Sequence, residues 1–248
     1  MKALDEANLA RLNSFLDSVD TGEFVVYGDL EAYSCKLAGL DKKLSKSLDE
    51  EVAAGSSPQE LSMSPVGPLS DSASRKTLIY LILALNHVYP DYDFSRLRAH
   101  HFKREAGLAR AEEVIDSHLL EVSKVWEATP GFGEAPFLDT LWSAVDEAID
   151  LKSCDVYSYK SDNETDPFGE RASVWAFNYF FYNRKLKRIL YLSCRALTKA
   201  AAEASEGRTG DSRDYESDGE DEESSGDGGA TAGASKRIDY GMANEMDL

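Results

Sequence analysis

Cysteine is scarce, with Cys35, Cys154 and Cys194 the only three in 248 residues. Their number is odd, their spacing wide, and no CxxC pair occurs, which excludes a disulfide framework and argues against a structural zinc centre. Free buried thiols in a reducing compartment are the expectation. Long hydrophobic runs are also missing. The longest, Leu78–Leu85 with the Tyr80 ring inside it, falls well short of the ~20 residues that span a bilayer. The opening MKALDEANL is acidic and has no apolar core, so it does not read as a signal peptide. Basic charge is the third shortage: 27 Lys and Arg face 45 Asp and Glu, a formal net charge of −18. Phosphates are bound through Lys and Arg that displace counterions, so contact with nucleic acid is expected to be local or indirect. Catalytic signatures are absent too. No P-loop, G-x-S-x-G or HExxH is found, and Asp146 and Glu147 are adjacent carboxylates with no nucleophile to serve. No motif supports an enzyme.

What is present is unevenly distributed. Residues 201–248 hold 14 acidic and 4 basic residues, a net of −10, which leaves −8 on residues 1–200. Like charges repel, so 201–248 reads as a disordered acidic tail. Residues 41–74 pass from Lys42, Lys43 and Lys46 through Asp49, Glu50 and Glu51 to a Ser-, Pro- and Gly-rich run. Such composition buries little, and it reads as a disordered insert within one globular domain made of 1–40 and 75–200.

Within that domain, Leu9, Leu12, Leu16 and Val19 set a helical stripe over 3–20. Phe24–Tyr27 and Leu30–Leu37 read as a hairpin turning at Gly28-Asp29. Further helices are predicted over 75–88, 108–126 and from Phe137 to Ile149, and a strand over 153–160. Ser161–Glu170 reads as a polar loop. The segment 174–192 packs Trp175, Phe177, Tyr179, Phe180, Phe181 and Tyr182, breaks at Asn183, crosses Arg184, Lys185, Lys187 and Arg188, and closes on Ile189–Leu192. Aromatic and β-branched runs about a short polar break predict a β-hairpin. The fold class expected is α+β: one largely antiparallel sheet flanked by helices.

Three groups are candidates for function. Cations at the hairpin turn (Arg184, Lys185, Lys187, Arg188) are placed to touch a partner. Asp91 and Asp93 of PDYDFS are too few to hold a cation and join them as candidate partner contacts. His100-His101 point in different directions and need distant partners to bind metal. Ser45 follows Lys42 and Lys43, which suits a basophilic kinase, and Ser57-Pro58 and Ser64-Pro65 suit a proline-directed one. Each phosphate would add close to two negative charges.

Several strings carry a family resemblance. These are LEAYSCK (30–36), PDYDFS (90–95) followed by Phe102 and Arg104-Glu105, LWSAVDEAI (141–149) running into CDVYSY (154–159), and DPFGE (166–170) leading to VWAFNYFFYNRKLKRI (174–189). In this order they resemble the sequence boxes of the eukaryotic Maf-type negative regulators of RNA polymerase III, over most of residues 24–196. The resemblance implies a non-enzymatic repressor of tRNA and 5S rRNA transcription that needs no cofactor. It would bind the polymerase and hinder its meeting with TFIIIB, shuttling between nucleus and cytoplasm under nutrient-linked kinases and an opposing phosphatase. Kinase positions are not carried over, because 41–74 departs from the family pattern. The alternative is a direct nucleic-acid-binding domain that uses the aromatic and basic hairpin 174–192.

Overall fold

In the computed structural model the described residues are 1–161, 167–168 and 173–209. The predicted loop at 161–170 lies largely outside them, as does the tail from residue 210. The strands are β1 (Lys2–Ala3), β2 (Val19–Asp20), β3 (Phe24–Ser34), β4 (Phe102–Arg104), β5 (Cys154–Tyr159), β6 (Trp175–Asn183) and β7 (Arg188–Thr198). They form an antiparallel sheet in the order β1-β3-β7-β6-β5-β4, with β2 paired to the same edge of β3 as β1. The helices are α1 (Ala7–Leu16), α2 (Gly39–Gly55), α3 (Pro58–Ser62), α4 (Ser72–Val88), α5 (Leu108–Ala128), α6 (Phe137–Ile149) and α7 (Lys199–Thr209).

Helices cover both sheet faces, which explains the unbroken aromatic run of β6. Side chains alternate across a strand. Phe177, Tyr179 and Phe181 therefore join Leu190, Leu192 and Cys194 under α1, α5 and α6. Phe180 and Tyr182 join Tyr33, Ile189 and Tyr191 under α2 and α4. A strand buried on both sides reads as continuous hydrophobicity, not as alternation.

Four expectations are corrected. The hairpin expected at 24–37 is one strand, β3, paired with β7 from Phe24↔Thr198 to Ser34↔Arg188. Gly28 marks a close approach and not a turn: a Cβ there would meet Cys194 Sγ at 2.9 Å and Leu16 at 3.1 Å. The helix expected over 3–20 shortens to α1, because the chain on either side is drawn onto the edge of β3 as β1 and β2. The insert expected at 41–74 is structured. Leu48 and Val52 of α2 are 1% exposed, and Leu44 packs beside them at the same helical spacing. Arg75 Nε donates to Asp49 at 2.7 Å, tying α2 to α4. Composition misleads here because one apolar residue per turn suffices when α4 and the sheet supply the rest of the core. Ser57 caps α3: it accepts from Glu60 N–H at 3.2 Å, while the Glu60 carboxylate accepts from Ser57 N–H at 3.0 Å. The helical stretch after β7 also runs past residue 201, to the end of α7.

Candidate functional site

The β6–β7 turn is built outward from one buried amide. Asn183 is 0% exposed. Its Oδ1 accepts from the N–H groups of Lys185 and Leu186, both at 3.0 Å. Its Nδ2 donates to Ile149 O at 2.8 Å, in the last turn of α6. Lys187 has φ 52°, in the left-handed region, where a non-glycine residue costs of order 1 kcal/mol. Its carbonyl accepts from Cys35 N–H at 2.8 Å just past β3. The turn is thus pinned to three elements, and its geometry does not depend on its charges.

Those charges divide into two pairs. Arg184 Nε donates to Asp155 Oδ2 at 2.9 Å, and its guanidinium lies 5.9 Å from the Tyr182 ring centroid. Arg104 reaches the other oxygen of the same carboxylate. Arg188 donates to Ala148 O at 2.8 Å, where a cation also meets the negative end of α6, and lies 3.9 Å from Glu6. The Lys185 and Lys187 side chains are exposed and form no ion pair among the described residues. Between them stands Leu186, 50% exposed. The site is therefore a rigid tip of two free cations around an exposed apolar residue. Asp155 and Asn183, which set it, were not among the sequence candidates; the only signal was an Asn at the strand break.

The remaining candidates lie elsewhere. Asp91 and Asp93 are exposed in the turn after α4, and no contact among the described residues joins them to the tip. Asp93 accepts from Ser95 N–H at 2.9 Å, which holds its carboxyl below the usual range. Tyr92 and Phe94 beside them enter an aromatic cluster with Tyr89. The His100 and His101 rings stack against each other at 4.2 Å, and no group of three or more metal-ligating side chains occurs among the described residues. Ser45 is half-buried on α2. Ser57 is exposed at the α3 cap. The Ser64 hydroxyl donates to Gly67 O across a tight turn. The three thiols are free, and burial pushes Cys35 and Cys154 up to about 12 and Cys194 higher still. They stay protonated and are poor nucleophiles. No helix among the described residues is long and apolar enough to cross a membrane.

The family model described as Maf1 regulator matches residues 26–193. The chain belongs to the Maf1 family. It is 35% identical over 246 residues to the Dictyostelium discoideum protein named "Repressor of RNA polymerase III transcription", covering 80% of this chain and 86% of that one. The Schizosaccharomyces pombe protein "Repressor of RNA polymerase III transcription maf1" is 35% identical over 210 residues, covering 80% and 84%. A crystal structure of citrus MAF1 superposes with a TM-score of 0.64 at 41% identity, covering 77% of this chain and 99% of that one. Maf1 relatives are thus named as repressors of transcription and not as enzymes, and the α+β sheet-and-helix architecture is the Maf1 fold.

Proposed function

We propose that the protein represses RNA polymerase III transcription of tRNA and 5S rRNA genes by binding the polymerase and blocking its meeting with TFIIIB. The family match across 26–193 carries this reading. The tip formed by Lys185, Leu186 and Lys187 is the contact favoured by geometry, because a pre-set turn with unpaired cations loses little conformational entropy on docking. Control is by phosphorylation of Ser45, Ser57 and Ser64, written by basophilic and proline-directed kinases and erased by a phosphatase, with the protein shuttling between nucleus and cytoplasm. A phosphate on Ser57 would stand beside the Glu60 carboxylate, which already lies 3.0 Å from the hydroxyl, and like-charge repulsion would open the α3 cap. A phosphate on Ser64 would remove the hydroxyl donor to Gly67.

The nucleic-acid reading loses its stacking platform. Phe180 and Phe181 are fully buried, Tyr179 and Tyr182 nearly so, and helices cover both faces of their strand. Bases need an exposed ring face. The test is equilibrium binding of the full-length protein to purified RNA polymerase III. The reading expects saturable binding that competes with TFIIIB-dependent recruitment and weakens in Lys185→Glu/Lys187→Glu. Failure of the wild-type protein to bind would overturn it.

A further inference from the structure

The outer edge of β3 pairs with other strands only at its two ends. β2 pairs with it at Val25 and Val26, and β1 at Tyr33 and Ser34. Even-numbered residues direct their backbone groups outward along this edge. Phe24 O accepts from Thr21 N–H at 2.9 Å, and Ala32 O accepts from Leu4 N–H at 2.8 Å. Leu30 is served by the side chain of Asn13, which accepts from its N–H and donates to its carbonyl, both at 2.9 Å. Gly28, in the same phase, has no outward hydrogen-bond partner among the described residues. An unpaired strand edge is a template for another chain.

Gly28 opens onto a cavity of about 370 Å³ that also takes in Asp17, Tyr27, Asp29, Tyr89 and Arg195. Among the described residues the lining carries two carboxylates, Asp17 and Asp29, against one guanidinium. Neither Asp17 nor Asp29 forms an ion pair among the described residues, and burial, then the Glu31 carboxylate, pushes the Asp29 carboxyl up to about 6. The aromatic walls accept cations: the Arg195 guanidinium already lies 5.5 Å from the Tyr27 ring centroid.

We propose that this cavity receives the guanidinium of an arginine presented by an extended segment of a partner protein. A guanidinium has five N–H donors in one plane and no acceptor. The acceptors here are of the matching kind: the Asp29 carboxylate for a two-pronged contact and the Gly28 carbonyl at the open edge. A lysine would reach the carboxylate but could not serve this fork. The segment carrying the arginine would pair with the free backbone of Gly28, in the manner of a strand added to a sheet edge. This inference stands apart from polymerase binding and is tested without the polymerase.

The experiment titrates full-length ¹⁵N-labelled protein with the peptide acetyl-Gly-Arg-Gly-amide and follows amide shifts by NMR. Parallel arms use its lysine and citrulline counterparts and methylguanidinium alone. The expected result is saturable shifts at Gly28, Asp29 and Leu30 for the arginine peptide. Binding should be at least about tenfold weaker for the uncharged citrulline peptide and about tenfold weaker in Asp29→Asn. Asp17→Asn, which removes the charge of the other carboxylate of the lining, should also weaken binding, and it serves where Asp29→Asn does not fold. Absence of shifts up to about 10 mM peptide, equal binding of the citrulline peptide, or binding unchanged in both variants would overturn the proposal. Methylguanidinium binding as tightly as the peptide would overturn the polypeptide partner.

Discussion

Replacing Leu48 by alanine asks whether residues 39–71 belong to the core. Leu48 is 1% exposed and packs with Val52, Val66 and Leu69 against α4 and the sheet. Truncating a buried leucine removes its transfer free energy and leaves a cavity, together about 2–5 kcal/mol. A domain of this size shifts by about 2–4 °C per kcal/mol. With Leu48→Ala set at about 3 kcal/mol, the expected fall in Tm is about 6–12 °C. Leu40 is the control on the same helix: it is 81% exposed, and Leu40→Ala should lie within about 0.5 kcal/mol of wild type. Thermal melts followed by circular dichroism, with urea titrations at 25 °C to check the slope, would measure both. Equal melting temperatures for Leu48→Ala and wild type would refute the packing of α2 and restore the segment to a solvated insert.

Other consequences follow from single contacts. Lys185→Glu and Lys187→Glu should each leave stability within about 0.5 kcal/mol, whereas Arg188→Glu, which would set a carboxylate against Ala148 O and Glu6, should lower the Tm measurably by calorimetry. Ser57→Ala removes the α3 cap and should cost about 0.5–2 kcal/mol in urea unfolding, with the uncharged N-cap residue of Ser57→Asn retaining much of it. Because the folded-state Asp29 carboxyl titrates near 6, above its ordinary 3.8, the folded protein holds a proton there that the unfolded chain has released. Its contribution to stability is therefore present below about pH 4 and lost as pH rises through about 6. Asp29→Asn should be more stable than wild type at pH 7.5 and indistinguishable at pH 3.5 in urea titrations at each pH.

Long periodic elements were legible in the sequence because their pattern is local. Leu141, Val145 and Ile149 place α6 without reference to anything else, and the aromatic run with its polar break places β6 and β7. Gly28 was misread because a glycine admitted for close packing carries the same letter as one admitted for a turn. Only Leu16 and Cys194, brought near by the fold, separate the two. The helix α2 was missed because its stripe of Leu44, Leu48 and Val52 is one residue wide and its partners, chiefly α4 with Val66 and Leu69, are brought to it by the fold. The basic turn was visible as a cluster. Its division into two engaged arginines and two free lysines was not, since Asp155 and Ala148 lie 29 and 40 residues away in the chain. Nothing local announced the cavity at Gly28, whose walls come from α1, β3, the turn after α4, Phe168 and β7.

The central claim, repression through contact with the polymerase, is tested most directly by transcription of a tRNA gene in a reaction rebuilt from purified RNA polymerase III, TFIIIB and TFIIIC. The account predicts that the wild-type protein, added to the polymerase before template, lowers transcript in a saturable manner. It predicts that Lys185→Glu/Lys187→Glu requires about tenfold more protein for the same effect, a loss of about 1.4 kcal/mol in binding. Undiminished transcript at saturating wild-type protein would contradict it.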